Sequence, residues 1–306
     1  MSDNIHGHFL DHLSSWRKMA AVAWAPPNDP TIYGTIDIDM SAPLEFLSRL
    51  SKRTGEHLTV THLVVKAIAE TLARHPECNG MIRHGRVFLR DTVDISVLVA
   101  MEAEGPAAER HDQGVDLSET LIRDADKKSL VEIAHAIRAG ARSIRKHQDP
   151  FIERTKKLFE LLPPWALGPA LRLTSFLEYE LNLDLTRLGV PRDPFGSGIV
   201  TSVGMLGITE AFGPIPPFSG VTMLTAVGRV EDRPVVRDGR VVARPMMRIT
   251  ATFDHRFVDG FQGGRLGKTF HELMSDPAAH FWPPDVARLA PKAKPRARRP
   301  PRPRKR

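Results

Sequence analysis

The sequence predicts an α/β fold in which helices pack on a mixed β-sheet to form a two-layer sandwich. Two observations carry this prediction. Segments in which apolar and polar residues alternate, as in a half-buried strand, are interspersed with segments of helical period. Near the end of the chain, valine-rich runs flank Arg237-Asp238-Gly239-Arg240, whose turn chemistry predicts a hairpin. The 306 residues are enough for one large domain with a substantial core.

The first half of the chain predicts strands at 31–40 and 93–100. Between them, Thr61 is placed to cap a helix that Pro76 ends. The apolar face of this helix consists of Val64, Val65, Ile68 and Leu72. Residues 101–120 read as a charged, Gly-containing loop, and residues 129–146 as an amphipathic basic helix. The polar, His-rich residues 1–16 are expected to be a flexible terminus and not a metal site.

The second half predicts mostly strands, followed by one helix. The expected strands cover residues 198–203, 221–230, 235–236, 241–242 and 248–253. The final helix is expected from Gln262 to Met274.

Residues 150–195 interrupt this pattern with a leucine-rich segment that contains Pro163-Pro164. The pattern predicts one or two amphipathic helices broken at the proline pair. Three interpretations stay open: a packed surface helix pair or oligomer contact, an apolar lid or acyl-chain pocket, and an interfacial membrane contact.

The positive charge is concentrated at the C-terminus. The formal charge of the chain is +7, but residues 291–306 carry nine Lys or Arg and no acid, so the rest carries +7 − 9 = −2. This Pro-rich tail has no apolar residue larger than alanine and is expected to be disordered. Its charge is suited to binding an acidic protein, nucleic acid or an anionic membrane. The alternative is that it acts only as a solubilising tail.

The single cysteine, Cys78, excludes an intrachain disulfide and is expected to be a small buried side chain. The sequence shows no apolar signal-peptide core after basic residues and no run of about 18 apolar residues. A cytoplasmic location is therefore expected.

The segment Asp254-His255-Arg256-Phe257-Val258-Asp259-Gly260 is the strongest functional signal. It follows an alternating run over residues 247–253 that predicts a strand. A histidine where a strand enters a Gly-containing loop can be held rigidly enough to act as a general base for a thiol or hydroxyl. The spacing of His255 and Asp259 is also common in structural hydrogen bonds, so the pattern alone does not establish catalysis.

This segment resembles the active-site signature of dihydrolipoamide acyltransferases of 2-oxo acid dehydrogenase complexes. Its His-x-x-x-Asp-Gly core is shared with chloramphenicol acetyltransferase. Other segments that resemble the family lie at Arg17-Lys18, 76–79, 93–100, 123–130, 203–207 and 227–247. The resemblance implies a chloramphenicol-acetyltransferase-like sandwich. It also implies a catalytic domain over residues 17–290, with the insert at 150–195, between the flexible residues 1–16 and the tail.

The resemblance implies acyl transfer between coenzyme A and a dihydrolipoyl thiol, with no metal. His255 is then the base, and Thr201 occupies the position of the family's hydroxyl that stabilises the tetrahedral intermediate. Ser202 stands where the family usually has asparagine, and Gly260 completes the signature. Asp259 is expected to form an ion pair with Arg17 that orients His255, whereas Asp254 and Arg256 are expected to be structural.

Family members form trimers in which the histidine and the hydroxyl come from neighbouring chains, so the resemblance implies a homotrimer. The sequence lacks the family's Asp-Lys-Ala lipoylation hairpin, so the lipoyl group is expected on another chain. It also departs from the family at Glu119-Thr120, where Thr-Pro is usual. A CoA-dependent acyltransferase with a different acceptor and a non-catalytic trimeric scaffold are the alternative interpretations.

Overall fold

The computed structural model of the chain describes residues 4–9, 30–101, 116–145 and 163–283. Its strands are β1 (Gly7–Phe9), β2 (Thr31–Asp39), β3 (Gly80–Arg83), β4 (Arg86–Arg90), β5 (Ile95–Met101), β6 (Asp116–Ile122), β7 (Gly198–Ser202), β8 (Met223–Arg237) and β9 (Arg240–Asp254). Its α-helices are α1 (Ser41–Thr54), α2 (Val60–Arg74), α3 (Leu130–Arg145), α4 (Pro164–Ser175), α5 (Gly260–Ser275) and α6 (Pro277–Phe281).

Six strands form the main sheet in the order β2-β9-β8-β7-β5-β6. The central strand β7 runs parallel to both of its neighbours, while the remaining pairs are antiparallel. Side chains alternate across the sheet, and one face packs against the helices. This core includes Val97, Val200 and Ile249 from the sheet and Leu63 and Leu273 from α2 and α5. The predicted two-layer α/β sandwich with a mixed sheet is confirmed.

Several predicted boundaries differ from the structure. The four short segments expected between residues 221 and 253 are two long strands, β8 and β9, because Asp238 and Gly239 adopt positive φ angles of 50° and 77° and close one continuous hairpin. Residues 116–120, expected in a loop, belong to β6, which pairs with β5. Thr59, and not Thr61, caps α2, and it forms a capping box with His62. Helix α1 was not predicted.

The N-terminal residues also differ from the expected flexible terminus. Residues 7–9 form β1, which adds to a second, smaller sheet in the order β1-β4-β3. Asn4 and Ile5 are buried, and the side chain of Asn182 bonds both the backbone N–H and the carbonyl of Ile5. Gly7 lies so close to β4 that an added Cβ would be 2.1 Å from the carbonyl oxygen of Leu89, so this pairing requires glycine.

The described part of the insert packs against the small sheet. Helix α4 begins at the predicted proline pair and continues into a π-helical turn, Phe176–Glu180. Tyr179 from this turn is buried with Ile5, Met81 and Phe88. Beyond the turn, Asp193 forms a buried ion pair with Arg90 of β4. The interpretation of the insert as a packed surface element therefore applies to residues 176–193, although Leu173 and Leu188 remain 60% and 78% exposed.

Glu178 is a buried carboxyl in the insert. Burial, with a smaller contribution from Asp193, raises the pKa of Glu178 to about 8. A folded-state pKa above that of the unfolded chain contributes stability that is present at low pH and is lost as pH rises through the folded-state value. We therefore expect the unfolding temperature to fall between pH 6 and pH 9, and to fall less in Glu178→Gln, which keeps a neutral side chain. Thermal unfolding at both pH values tests this. Glu272→Gln, at an exposed site, is the control and should behave as wild type.

An apolar cavity of about 70 Å³ lies between α2, α5 and the sheet, and Gly267 of α5 contributes to its wall. A Cβ at Gly267 meets no atom within 4 Å. Gly267→Ala is expected to raise the free energy of unfolding by about 0.5–1 kcal/mol, because alanine favours the helix more than glycine does. Denaturant unfolding measures this change. Gly55→Ala should lower the free energy of unfolding, because Gly55 has a φ of 71° at the end of α1, which alanine adopts only with strain.

Some predictions fall outside the described residues: the position of Arg17, the basic tail at 291–306, and any helix in residues 150–162. Within the described ranges, no helix combines the length and the apolar character that crossing a bilayer requires. Cys78 is buried, as expected.

Candidate active site

His255 lies immediately after β9, where the strand turns toward α5. Strand β9 is held on both sides, with Phe253 opposite Ile32 of β2 and Met223 of β8. The backbone N–H of His255 donates to the carbonyl of Pro30 at 2.7 Å. The imidazole therefore projects from a backbone that the sheet fixes, as the sequence predicted.

The contacts of His255 assign a tautomer to its ring. Its Nδ1 lies 3.1 Å from the carbonyl oxygen of Val258. A carbonyl oxygen can only accept, so Nδ1 carries the hydrogen and Nε2 of the neutral ring carries the lone pair. This is the state in which an imidazole can remove a proton from a thiol or hydroxyl. The sequence gave no signal for Val258, because the group that orients the ring is a backbone carbonyl.

Asp254 and Arg256 hold the turn that contains His255. The guanidinium of Arg256 donates to both carboxylate oxygens of Asp254, at 2.7–3.1 Å, and the backbone N–H of Arg256 donates to the same carboxylate. This hydrogen bonding raises the pKa of Arg256 further above its usual range. The arrangement fits the structural role expected for both residues.

Asp259 caps helix α5. Its Oδ1 accepts from the backbone N–H of Gln262 at 2.9 Å, and the side chain of Gln262 accepts from the backbone N–H of Asp259 at 3.0 Å. This reciprocal capping box begins the helix at Gly260, two residues earlier than predicted. The Asp-x-x-Gln spacing is a sequence signal for this capping box, although the predicted helix began two residues later. The structure does not describe Arg17, the expected partner of Asp259.

Two substitutions separate the cap from the expected ion pair. Asp259→Ala removes the cap and should lower the free energy of unfolding by about 1 kcal/mol. Asp259→Asn preserves the capping oxygen and should leave stability within a few tenths of a kcal/mol, but it removes the charge that would attract Arg17.

If the ion pair orients His255, Asp259→Asn will lower the catalytic rate while its denaturant midpoint stays that of wild type. Unchanged rate and unchanged stability in Asp259→Asn would leave Asp259 with the capping role alone. Rate and unfolding are measured on the same preparations.

Thr201 and Ser202 end the central strand β7. Val200 points into the helical core, so Thr201 points to the opposite face of the sheet. After Ser202, a short 3₁₀ turn covers Gly204–Leu206, and Gly207 has a φ of 77°. An added Cβ on Gly204 would be 2.6 Å from the carbonyl oxygen of Gly228, so this turn fits closely against β8.

One chain does not bring Thr201 and His255 together. Thr201 lies opposite Ala226, which lies opposite Thr250, so His255 is five residues further along β9 and two strands away. At about 3.4 Å per residue and about 4.8 Å per strand, the two residues are roughly 19 Å apart within one chain. A single reacting carbonyl cannot contact both.

A partly buried carboxyl lies in the same row of the sheet as Thr201. Glu119 of β6 is opposite Leu98, which is opposite Thr201, so the three share one face. Burial raises the pKa of Glu119 to about 7, against the opposing effect of a hydrogen bond from Ser96. The sequence showed Glu119 only as a departure from the family's pattern. Its burial follows from β6, which was not predicted.

The chain is similar to a known protein family and to solved structures. The family model of the 2-oxoacid dehydrogenases acyltransferase catalytic domain matches residues 16–154 and 195–282. The unmatched residues 155–194 coincide closely with the insert that the sequence predicted. Within the described ranges, no group of three or more His, Cys, Asp or Glu side chains is placed to hold a metal.

Two curated relatives illustrate the similarity. The acetyltransferase component of the acetoin cleaving system of Bacillus subtilis (strain 168) is 25% identical over 254 residues, covering 80% of this chain and 50% of the relative. The succinyltransferase component of the 2-oxoglutarate dehydrogenase complex of Haemophilus influenzae is 25% identical over 249 residues, covering 81% and 48%. Both are dihydrolipoyllysine-residue acyltransferases. The chain thus spans about half the length of the curated relatives it matches.

Solved structures share the fold. A probable dihydrolipoamide acetyltransferase from Listeria monocytogenes aligns with a TM-score of 0.57 at 17% identity, covering 87% of this chain and 94% of the other. The dihydrolipoamide acetyltransferase of Azotobacter vinelandii aligns with a TM-score of 0.57 at 21% identity, covering 82% and 84%. The work on the latter concerned the role of a serine, a histidine and an asparagine in its catalytic mechanism.

Proposed function

The chain belongs to the family of 2-oxoacid dehydrogenase acyltransferase catalytic domains, and from that membership we propose that it transfers an acyl group between coenzyme A and a dihydrolipoyl thiol carried by another chain. The observation that carries the proposal is the position of His255, whose Nδ1 lies 3.1 Å from the carbonyl oxygen of Val258, as an Nδ1–H donor would. The Azotobacter vinelandii enzyme provides a parallel. Its histidine and asparagine are four positions apart, as His255 and Asp259 are here.

In the proposed reaction, Nε2 of His255 removes the proton of the attacking thiol. A free thiol has a pKa near 8.5, about two units above imidazole, so this transfer costs little. The thiolate attacks the thioester carbonyl, and the hydroxyl of Thr201 donates to the resulting oxyanion. When the carbonyl re-forms, the carbon–sulfur bond to the other thiolate breaks, and that thiolate takes the proton from His255.

We propose that each site is shared between two copies of the chain in a homotrimer. The separation of roughly 19 Å within one chain, estimated from strand geometry, supports this because the hydroxyl must then come from a neighbour. Exposed apolar side chains follow Thr201 in the sequence: Met205 is 76% and Leu206 is 56% exposed. Apolar residues beside a catalytic hydroxyl are suited to a subunit contact.

The proposed ion pair between Asp259 and Arg17 would fix the loop that follows His255. Support comes from the position of Asp259, which begins α5 four residues after the imidazole. A carboxylate has two oxygens, so capping through Oδ1 is compatible with a second bond to a guanidinium.

The direct test is acyl transfer from acetyl-CoA and longer acyl-CoAs to free dihydrolipoamide. The readout is the amount of CoA thiol that is released. We expect turnover that depends on dihydrolipoamide and varies with acyl length. A folded oligomer that does not transfer the acyl group to dihydrolipoamide or to a lipoylated domain would contradict the proposal. Acyl-CoA consumption with another thiol or amine would then favour a different acceptor, an alternative that the insert at 155–194 keeps open.

A further inference from the structure

The exposed side of the insert is apolar. Helix α4 continues directly into the π-helical turn Phe176–Glu180. Leu173 and Phe176 are three residues apart and therefore share one face of the helix. The backbone N–H of Leu181 donates to the carbonyl of Phe176 at 3.0 Å, so Leu181 lies one turn further along on that face. These three side chains are 44–60% exposed, and together they form the insert face.

The buried side of the same turn contains the polar groups. Glu178 and Tyr179 are both buried, and Tyr179 packs with Met81 and Phe88 of the small sheet. A helix on a protein surface in water normally buries its apolar residues and exposes its polar ones. Here a carboxyl is buried while two leucines and a phenylalanine are exposed. Such an inverted arrangement is expected where the exposed side meets an apolar environment.

The exposed charges of the insert are positive. All four acidic residues between 163 and 195 are buried or half-buried, namely Glu178, Glu180, Asp184 and Asp193. Arg172 and Arg187 are exposed, and within the described part of the chain neither forms an ion pair. Leu188, next to Arg187, is exposed as well. The insert thus presents apolar side chains and cations to the outside, with no exposed carboxylate between 163 and 195.

We propose that the insert face docks on the surface of an anionic lipid bilayer. Leu173, Phe176 and Leu181 would enter the boundary between the headgroups and the acyl chains, as the apolar side of an interfacial helix does. Arg172 and Arg187 would lie at the level of the headgroups, where they attract anionic lipids. This docking does not depend on the acyl-transfer reaction.

A second copy of the chain fits the insert face less well. A symmetric contact between two identical faces would bring the exposed arginines of both copies toward each other. Like charges repel, and no exposed acid between 163 and 195 is present to pair them. Subunit contacts that the catalytic domains of the family share do not account for the face either, because the family model does not match residues 155–194. An anionic bilayer complements both the apolar and the cationic side chains.

The test is co-sedimentation of the full chain with vesicles of phosphatidylcholine, alone or mixed with phosphatidylglycerol. We expect binding to the mixed vesicles that partly survives high salt, because salt screens charges but not apolar insertion. Leu173→Ser/Phe176→Ser should weaken this binding at least tenfold. Arg172→Gln/Arg187→Gln should weaken it about tenfold and reduce the preference for the anionic lipid.

Two matched controls change exposed side chains elsewhere. Val236→Ser/Val241→Ser removes exposed apolar groups at the β8–β9 hairpin, and Lys268→Gln removes an exposed cation on α5. Both should bind vesicles as wild type does, and circular dichroism verifies that every variant is folded.

A nitroxide label attached to Leu181→Cys reports on the insert face directly, since the native Cys78 is buried and does not compete for the label. When mixed vesicles are added, the label should become more accessible to oxygen and less accessible to a water-soluble nickel complex. The same label on Val236→Cys should not change.

The proposal is wrong if the chain binds neither kind of vesicle. It is also contradicted if Leu173→Ser/Phe176→Ser sediments as wild type does, or if the label on Leu181→Cys is unchanged while the chain sediments, because another part of the chain then binds the lipid. A smaller oligomer in Leu173→Ser/Phe176→Ser, with no vesicle binding by wild type, would assign the face to a second copy. His255→Ala should bind vesicles as wild type does, so the result is independent of the acyltransferase proposal.

Discussion

His255→Ala should lower the turnover number for acyl transfer by about 10²–10⁴-fold, the usual contribution of a positioned general base. The reason is the fixed ring: Nδ1–H is bound to the Val258 carbonyl, so Nε2 carries the lone pair that accepts the thiol proton. The backbone bond from His255 to Pro30 remains in the variant, so the fold should survive. Steady-state kinetics with acetyl-CoA and dihydrolipoamide measures the loss.

His271→Ala is the matched control for this experiment. His271 lies on α5, and within the described part of the chain its side chain bonds to Ser275, one turn along the same helix. It should retain wild-type turnover. Turnover of His255→Ala within a few-fold of wild type, in a correctly folded oligomer, would remove His255 from the mechanism.

Thr201→Val should lower the turnover number by about 10²–10³-fold, because one donor to an oxyanion contributes about 2.7–4 kcal/mol to the transition state. Valine has nearly the shape of threonine, so the strand and its packing are kept while the hydroxyl is removed. The Michaelis constant for acyl-CoA should change little, since the oxyanion forms only during the reaction.

Thr201→Ser separates the hydroxyl from the methyl group. It keeps the donor and should retain most of the activity, although loss of the β-branch loosens the χ1 angle. Equal losses in Thr201→Ser and Thr201→Val would contradict an oxyanion role and indicate that packing at the end of β7 matters instead.

The fold and the location of His255 could be predicted because both depend on local signals. Alternation identified most strands of the main sheet, helical period identified α2 and α3, and the segment from Asp254 to Gly260 marked the end of β9. The capping box of Asp259 and Gln262 was equally readable from its spacing. These features involve residues close together in the sequence.

The missed features depend on contacts between residues far apart in the sequence. Strand β1 forms because Gly7 approaches Leu89, more than eighty residues away. The raised pKa of Glu178 comes from packing of the insert against the small sheet, and that of Glu119 from its place on β6. Predicting the distance between Thr201 and His255 requires the strand order and register, and the periodicity of the sequence does not give either.

A complementation experiment tests the central claim that one active site uses His255 of one copy and Thr201 of another. Homo-oligomers of His255→Ala and of Thr201→Val are each expected to be nearly inactive. The two variants are co-expressed and purified together as mixed oligomers. In a ring with head-to-tail contacts, random mixing should restore about a quarter of the wild-type activity, because one contact in four joins an intact His255 to an intact Thr201. Activity no higher than that of the two separate mutants, in mixed oligomers verified by mass, would contradict a shared site.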